Sequence, residues 1–214
     1  MRSTTTIALS ALIAATSALP VYSADAGRSV PQAVALSAEP EIEKQTWEPV
    51  TVSAARLERD PEGLAVREFK RAVKHLRKKR FAQSLEHLDR ARAIDPDFAD
   101  AYLNAGVARL GLRQPERAVA EFERAIALDA RLLFARANLA LVQLRVGNHS
   151  QAESAARGAL KQNSKDIRAN YALGMSRAAQ GVFDEETMSS LRRAAEKYTN
   201  AQRALAAGAE STGN

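Results

Sequence analysis

Between residues 61 and 198 apolar residues return three or four apart in short blocks, and each block closes on residues that break helices. The breaks are Asp95-Pro96, Gln114-Pro115, Gly147-Asn148, Asn163-Ser164 and Gly181. Ahead of the first block, Asp60-Pro61-Glu62 supplies a capping residue, a first-turn proline and an acidic residue, which together mark a helix start. The pattern predicts an all-α chain.

The blocks repeat. Ser84, Ala118 and Ala152 are 34 positions apart, as are Leu88, Phe122 and Ala156, and Ala91, Ala125 and Ala159. Ala72, Gly106, Ala140 and Gly174 extend the same step to a fourth unit. A fixed period of this length signals stacked supersecondary units that cannot bury their apolar faces singly.

With units starting at Ala65, Ala99, Leu133 and Ile167, small residues fall at positions 8, 20 and 27. A 34-residue helix-turn-helix unit with that pattern resembles the tetratricopeptide repeat. The stretch from Ala99 to Asp129 matches best, with Tyr102 at position 4, Gly106 at 8, Ala118 at 20, Phe122 at 24 and Ala125 at 27. Repeat one adds Phe81 and Pro96 but carries Glu68 at position 4; repeat three adds Leu139-Ala140, Gly147-Asn148 and Ala152. Repeat four fits with one extra residue in its turn, giving Thr187, Leu191 and Ala194. The resemblance implies an all-α helix-turn-helix solenoid, a right-handed superhelix of about four units near 65–98, 99–132, 133–166 and 167–199. Residues 61–198 form this domain, and 200–214 a C-terminal cap: Asn200 to Ala207 is expected to continue the last helix and Gly208 to Asn214 to be loose.

In this family the first helix of each repeat, helix A, lines a concave groove through positions 2, 5, 9, 12 and 13. Position 5 carries Phe69, Leu103, Ala137 and Tyr171, position 9 Val73, Val107, Leu141 and Met175, and position 12 Leu76, Leu110, Leu144 and Ala178. The stripe reads equally as a trough for a partner's apolar segment or as surface buried between repeats. Asn104 and Asn138 stand at position 6, as one asparagine of a carboxylate clamp would, and are placed to bond a partner's backbone. Phe69 and Val73 stand where that clamp needs Lys and Asn, so a chaperone-tail clamp is not expected.

Arg2 is followed by an apolar run from Ile7 to Leu19, the length of a signal-peptide core; Ala24-Asp25-Ala26 offers a cleavage motif after Ala26, and Val21-Tyr22-Ser23 offers a second. Residues 1–26 are therefore expected to direct export, placing the protein in the periplasm or outside the cell. Residues 27–60 hold Pro31, Pro40 and Pro49 without helical periodicity and read as a disordered linker. Ile42, Trp47 and Val50 could let that linker fill the groove until a partner displaces it, a place the C-terminal helix could also take.

Composition narrows the chemistry. The chain has no cysteine, a net charge of +6 and a pI near 9.8. His75, His87 and His149 lie in no metal or triad spacing, although His75 and His87 fall on the two helices of repeat one. The glycines sit at packing or turn positions, with no phosphate-cradling loop. No catalytic residue, metal or cofactor is expected. Arg67, Lys70, Arg71, Lys74, Arg77 and Lys78, followed by Lys79 and Arg80, place a basic face on the first repeat helix. Two functions remain: a scaffold that binds a protein or peptide in the groove, or a tether to an anionic envelope surface or acidic partner. Nucleic acid is disfavoured because stacking aromatics are missing, and apolar solenoid ends make a homo-dimer an expectation.

Overall fold

The computed structural model describes residues 63–132 and 134–212. The leader, the linker with Trp47, the helix start at Asp60-Pro61-Glu62 and the repeat boundary at Leu133 lie outside the described residues. Nine helices occupy the described residues, with no strand among them. They are α1 (Leu64–Arg77), α2 (Phe81–Ile94), α3 (Ala99–Gly111), α4 (Pro115–Leu128), α5 (Ala135–Arg145), α6 (His149–Gln162), α7 (Ile167–Ala179), α8 (Glu185–Ala195) and α9 (Thr199–Thr212). Each odd-numbered helix from α1 to α7 pairs with its successor, and each pair packs on the next. The fold is a helix-turn-helix solenoid.

The turns inside the pairs share one hydrogen-bond pattern. The amide at position 16 donates to the carbonyl at position 11: Arg80 to His75, Gln114 to Arg109, Asn148 to Gln143 and Val182 to Arg177. The amide at position 15 donates to the carbonyl at position 12, as Lys79 does to Leu76 and Gly147 to Leu144. This double bond pattern ends a helix on a left-handed residue, normally glycine. Gly147 and Gly181 take that role with φ of 81° and 75°, while Lys79 and Arg113 take it with 55° and 58°. The turns between pairs are equally regular: Asp95, Asp129 and Asn163 each accept from the amide two residues on.

Small residues set the distance between paired helices. Ala72 lies beside Ser84, whose hydroxyl donates to the Ala72 carbonyl at 3.1 Å. A Cβ on Gly106 would stand 2.7 Å from Phe122 Cδ1, and one on Gly174 would stand 2.8 Å from Leu191 Cγ. Only a bare backbone admits those side chains. In α8 the buried residues are Thr187, Ser190, Leu191 and Ala194, the register that an extra turn residue requires.

One expectation is corrected. The C-terminal stretch does not continue the preceding helix and then loosen: α8 ends at Ala195, and α9 is a separate helix reaching Thr212. Gly208, which reads as a helix stop, is buried instead, with Phe183 Cδ1 2.6 Å from where its Cβ would be. The missing side chain lets α9 close over Phe183 and Met188.

Candidate partner-binding surfaces

The residues expected to line the groove are all buried. Phe69, Val73, Leu103, Val107, Leu141, Tyr171 and Met175 are between 0% and 9% exposed and belong to clusters of buried apolar residues. Burial, the second reading of the stripe, is what the structure shows, so no open apolar trough runs along positions 5, 9 and 12. Asn104 and Asn138 are also buried and bonded within the chain: Asn104 Nδ2 donates to the Asp100 carbonyl at 2.9 Å, and Asn138 Oδ1 accepts from Arg168 Nη1 at 3.2 Å.

Partial exposure survives at position 2 of repeats three and four. Arg168 is braced by Asn138 and by Asp166 Oδ2 at 3.1 Å, and its guanidinium lies 4.6 Å from the centre of the Phe134 ring. Asp166 also caps α7, accepting from the amides of Arg168 and Ala169. This leaves a cation and an aromatic ring, both half-buried, held rigidly side by side at the start of neighbouring A helices.

Position 11 carries a polar series with no counterpart among the sequence-based expectations. Arg109 donates to Gln114 at 3.0 Å, Gln143 accepts from Asn148 at 2.8 Å, and Arg177 bonds Asp184, each tying helix A to its own turn. Arg177 does more: Nη1 donates to Glu153 Oε1 at 2.7 Å and Nε to Thr187 Oγ1 at 2.9 Å, joining α6, α7 and α8. The 34-residue spacing of these residues was the available signal.

In repeat one, position 11 is His75. Its Nδ1 is buried without a hydrogen-bond partner, and its ring stacks on His87 at 5.2 Å. Burial, with the positive charge of His87, Arg80, Lys78 and Lys74 around it, pushes the His75 pKa below its ordinary 6.5. His87 Nδ1 lies 2.8 Å from Glu68 Oε2, and that bond, with the Arg71 guanidinium, holds the Glu68 carboxyl below the usual carboxylate range. The described residues contain no group of three or more His, Asp or Glu side chains able to hold a metal ion. No helix among them is long and apolar enough to cross a membrane.

The basic residues Arg67, Lys70, Arg71, Lys74, Arg77, Lys78, Lys79 and Arg80 are all exposed. Arg71 pairs with Glu68. Elsewhere arginines meet carboxylates: Arg92 bonds Glu121 at 2.6 Å and Arg157 bonds Glu186 at 2.7 Å, each across a repeat boundary.

These features define a class: a helix-turn-helix repeat solenoid with an alanine- and glycine-spaced core. Residues 99–131 match the tetratricopeptide repeat family model, and the described residues have the fold of a tetratricopeptide-repeat solenoid. No curated relative matches in sequence. Among solved structures, the chain is similar to the MamA protein, with a TM-score of 0.64 at 16% identity over 71% of this chain and 84% of that one. It is similar to YrrB, described as a TPR protein with an unusual peptide-binding site, with a TM-score of 0.63 at 21% identity over 75% and 83%. It is also similar to the first TPR of Spaghetti bound to the HSP90 peptide SRMEEVD, with a TM-score of 0.54 at 14% identity over 56% and 94%. At these identities the likeness is one of fold.

Proposed function

We propose that this chain is a non-enzymatic protein-interaction scaffold of the cell envelope that holds a peptide or helical segment of a partner along its A helices. The observation that carries the reading is the stacking of four helical pairs that leaves Arg168 and Phe134 braced and partly exposed at the starts of adjacent A helices. A guanidinium beside an aromatic ring suits a segment with a carboxylate or backbone carbonyl next to an apolar side chain. Peptide binding by similar solenoids supports the same reading, as YrrB and Spaghetti do by their descriptions. The ionisable groups that approach each other are engaged with one another: His75 with His87, and His87 with Glu68. The envelope assignment rests on the apolar run Ile7 to Leu19 and the Ala24-Asp25-Ala26 motif, and the protein recovered from cells is expected to begin at Gly27.

The test is in-cell crosslinking of the full chain beside Arg168→Glu and Phe134→Ala variants whose helicity is unchanged by circular dichroism. A crosslinked partner lost in both variants supports the reading. A partner profile identical in all three proteins overturns the A-helix site.

A further inference from the structure

The basic face occupies a particular place in the solenoid. Positions 3, 6, 7 and 10 of helix A are Ala101, Asn104, Ala105 and Ala108 in repeat two, and Ala169, Ala172, Leu173 and Ser176 in repeat four; all are buried. That face of α3 and α7 packs on the preceding pair. In repeat one the same positions are Arg67, Lys70, Arg71 and Lys74, all exposed. The cations therefore cover the end of the described solenoid, where a preceding repeat would stack.

An end must be polar, but it need not carry one sign of charge. At the opposite end α9 exposes Gln202, Arg203, Ala206 and Glu210, a mixed surface. On α1, by contrast, Arg67, Lys70, Arg71, Lys74, Arg77 and Lys78 fall within an arc of about 120° and run for roughly 16 Å along the helix. No acid shares that arc. Glu68 lies outside it and neutralises Arg71, whereas the other five have no ion pair among the described residues. The next turn adds Lys79, exposed and held at φ 55° as Arg113 is at 58° in repeat two, where repeats three and four use Gly147 and Gly181. A lysine there costs backbone energy that glycine would avoid.

From these observations we propose that the α1 end of the solenoid docks end-on against a layer of anionic lipid headgroups. Exposed cations spread along a helix with no carboxylate within the arc match an extended array of anions better than a single peptide carboxylate, which needs a convergent pocket. A second copy presenting the same end would be repelled by it. The site is independent of the Arg168–Phe134 edge, and its failure would leave the scaffold reading standing.

The experiment is co-sedimentation of the full chain with vesicles of equal phosphatidylglycerol and phosphatidylcholine, against vesicles of phosphatidylcholine alone; comparing the two cancels any partitioning by the apolar run Ile7 to Leu19. Binding is expected to favour the anionic vesicles, to fall about fivefold for each cation removed in Lys70→Gln and Lys74→Gln, and to weaken with salt. Lys79→Gly should lower vesicle binding while raising the unfolding midpoint, a combination that damage to the fold cannot produce. Arg203→Gln, at the other end, should leave binding unchanged. Equal binding to both vesicle types, an effect of Arg203→Gln equal to that of Lys70→Gln, or capture by soluble polyglutamate without vesicle binding would each overturn the proposal.

Discussion

Gly106 and Phe122 meet face to face: the fully buried ring occupies the space a Cβ at residue 106 would take, with Phe122 Cδ1 2.7 Å from that position. The spacing of α3 and α4 depends on this contact. Gly106→Ala gains helix propensity of about 1 kcal/mol, but it forces apart a ring with no free volume around it. Overpacking should win, lowering stability by roughly 1–3 kcal/mol, and the same range is expected for Ala118→Leu on the facing helix. Urea unfolding measures both. Phe122→Leu combined with Gly106→Ala should recover part of the loss, and strict additivity of the two changes would contradict the contact.

The four left-handed turn residues provide a natural comparison. Gly147 has φ 81° with nothing within 4 Å of a would-be Cβ, so Gly147→Ala tests the backbone alone and should cost about 1–2 kcal/mol. Lys79→Gly makes the opposite change at the equivalent site and should stabilise by up to about 1 kcal/mol, the gain being reduced by glycine's larger unfolded-state entropy. Thermal unfolding of the two variants should move in opposite directions.

Much of this architecture is legible in the sequence because its causes are local and repeat. The breaks at Asp95, Gly147 and Asn163 are turn chemistry, and the small residues at positions 8, 20 and 27 are packing geometry; both recur every 34 residues. The stripe through Leu103, Val107 and Leu141 was ambiguous for a physical reason: a 3.6-residue period identifies an apolar face but not whether protein or solvent meets it. Gly208 misled in the same way, since a glycine late in a helix reads as a stop unless the side chains of Phe183 and Met188 that need its space are known. The meaning of Arg67, Lys70, Arg71 and Lys74 emerges only when the repeats are compared column by column, because alone they form an ordinary charged helix face.

Arg177 holds repeat four to repeat three. Its side chain is 12% exposed, and its guanidinium bonds Glu153 on α6, Asp184 in the turn and Thr187 on α8, which anchors the turn that carries the extra residue. Arg177→Met keeps much of the packing but leaves Glu153 without this donor; because Asp184 and Glu186 are about half exposed, the loss should be limited to roughly 1–3 kcal/mol. Hydrogen exchange should locate the change in α8 and α9, with α1 to α4 unaffected. Uniform acceleration across all helices would show that Arg177 does not act as a local tie.

Repeat one should respond to acid in two stages. His75 has a depressed pKa when folded, so folding favours its neutral form; that preference costs nothing above its ordinary 6.5 and destabilises progressively as pH falls below it toward the depressed value. Lys74, Lys78, Arg80 and His87 surround the ring, and none offers it a carboxylate, so its protonation adds charge to a cationic cluster. Glu68 acts later. Its folded pKa is lowered by the bond to His87 and the charge of Arg71, so its contribution is present above its ordinary 4.5 and is lost as pH falls through the lowered value. His75→Gln places at position 11 the residue that repeat three uses there, Gln143, with Arg80 available to donate to it as Asn148 donates to Gln143. Burial lowers the His149 pKa as well, so His149 adds to the same first decline. Urea midpoints taken from neutral to acid pH should then show a smaller first decline in His75→Gln, the remainder belonging to His149, and an unchanged second. A first decline of undiminished size in His75→Gln would remove the stacked pair from the account of acid sensitivity.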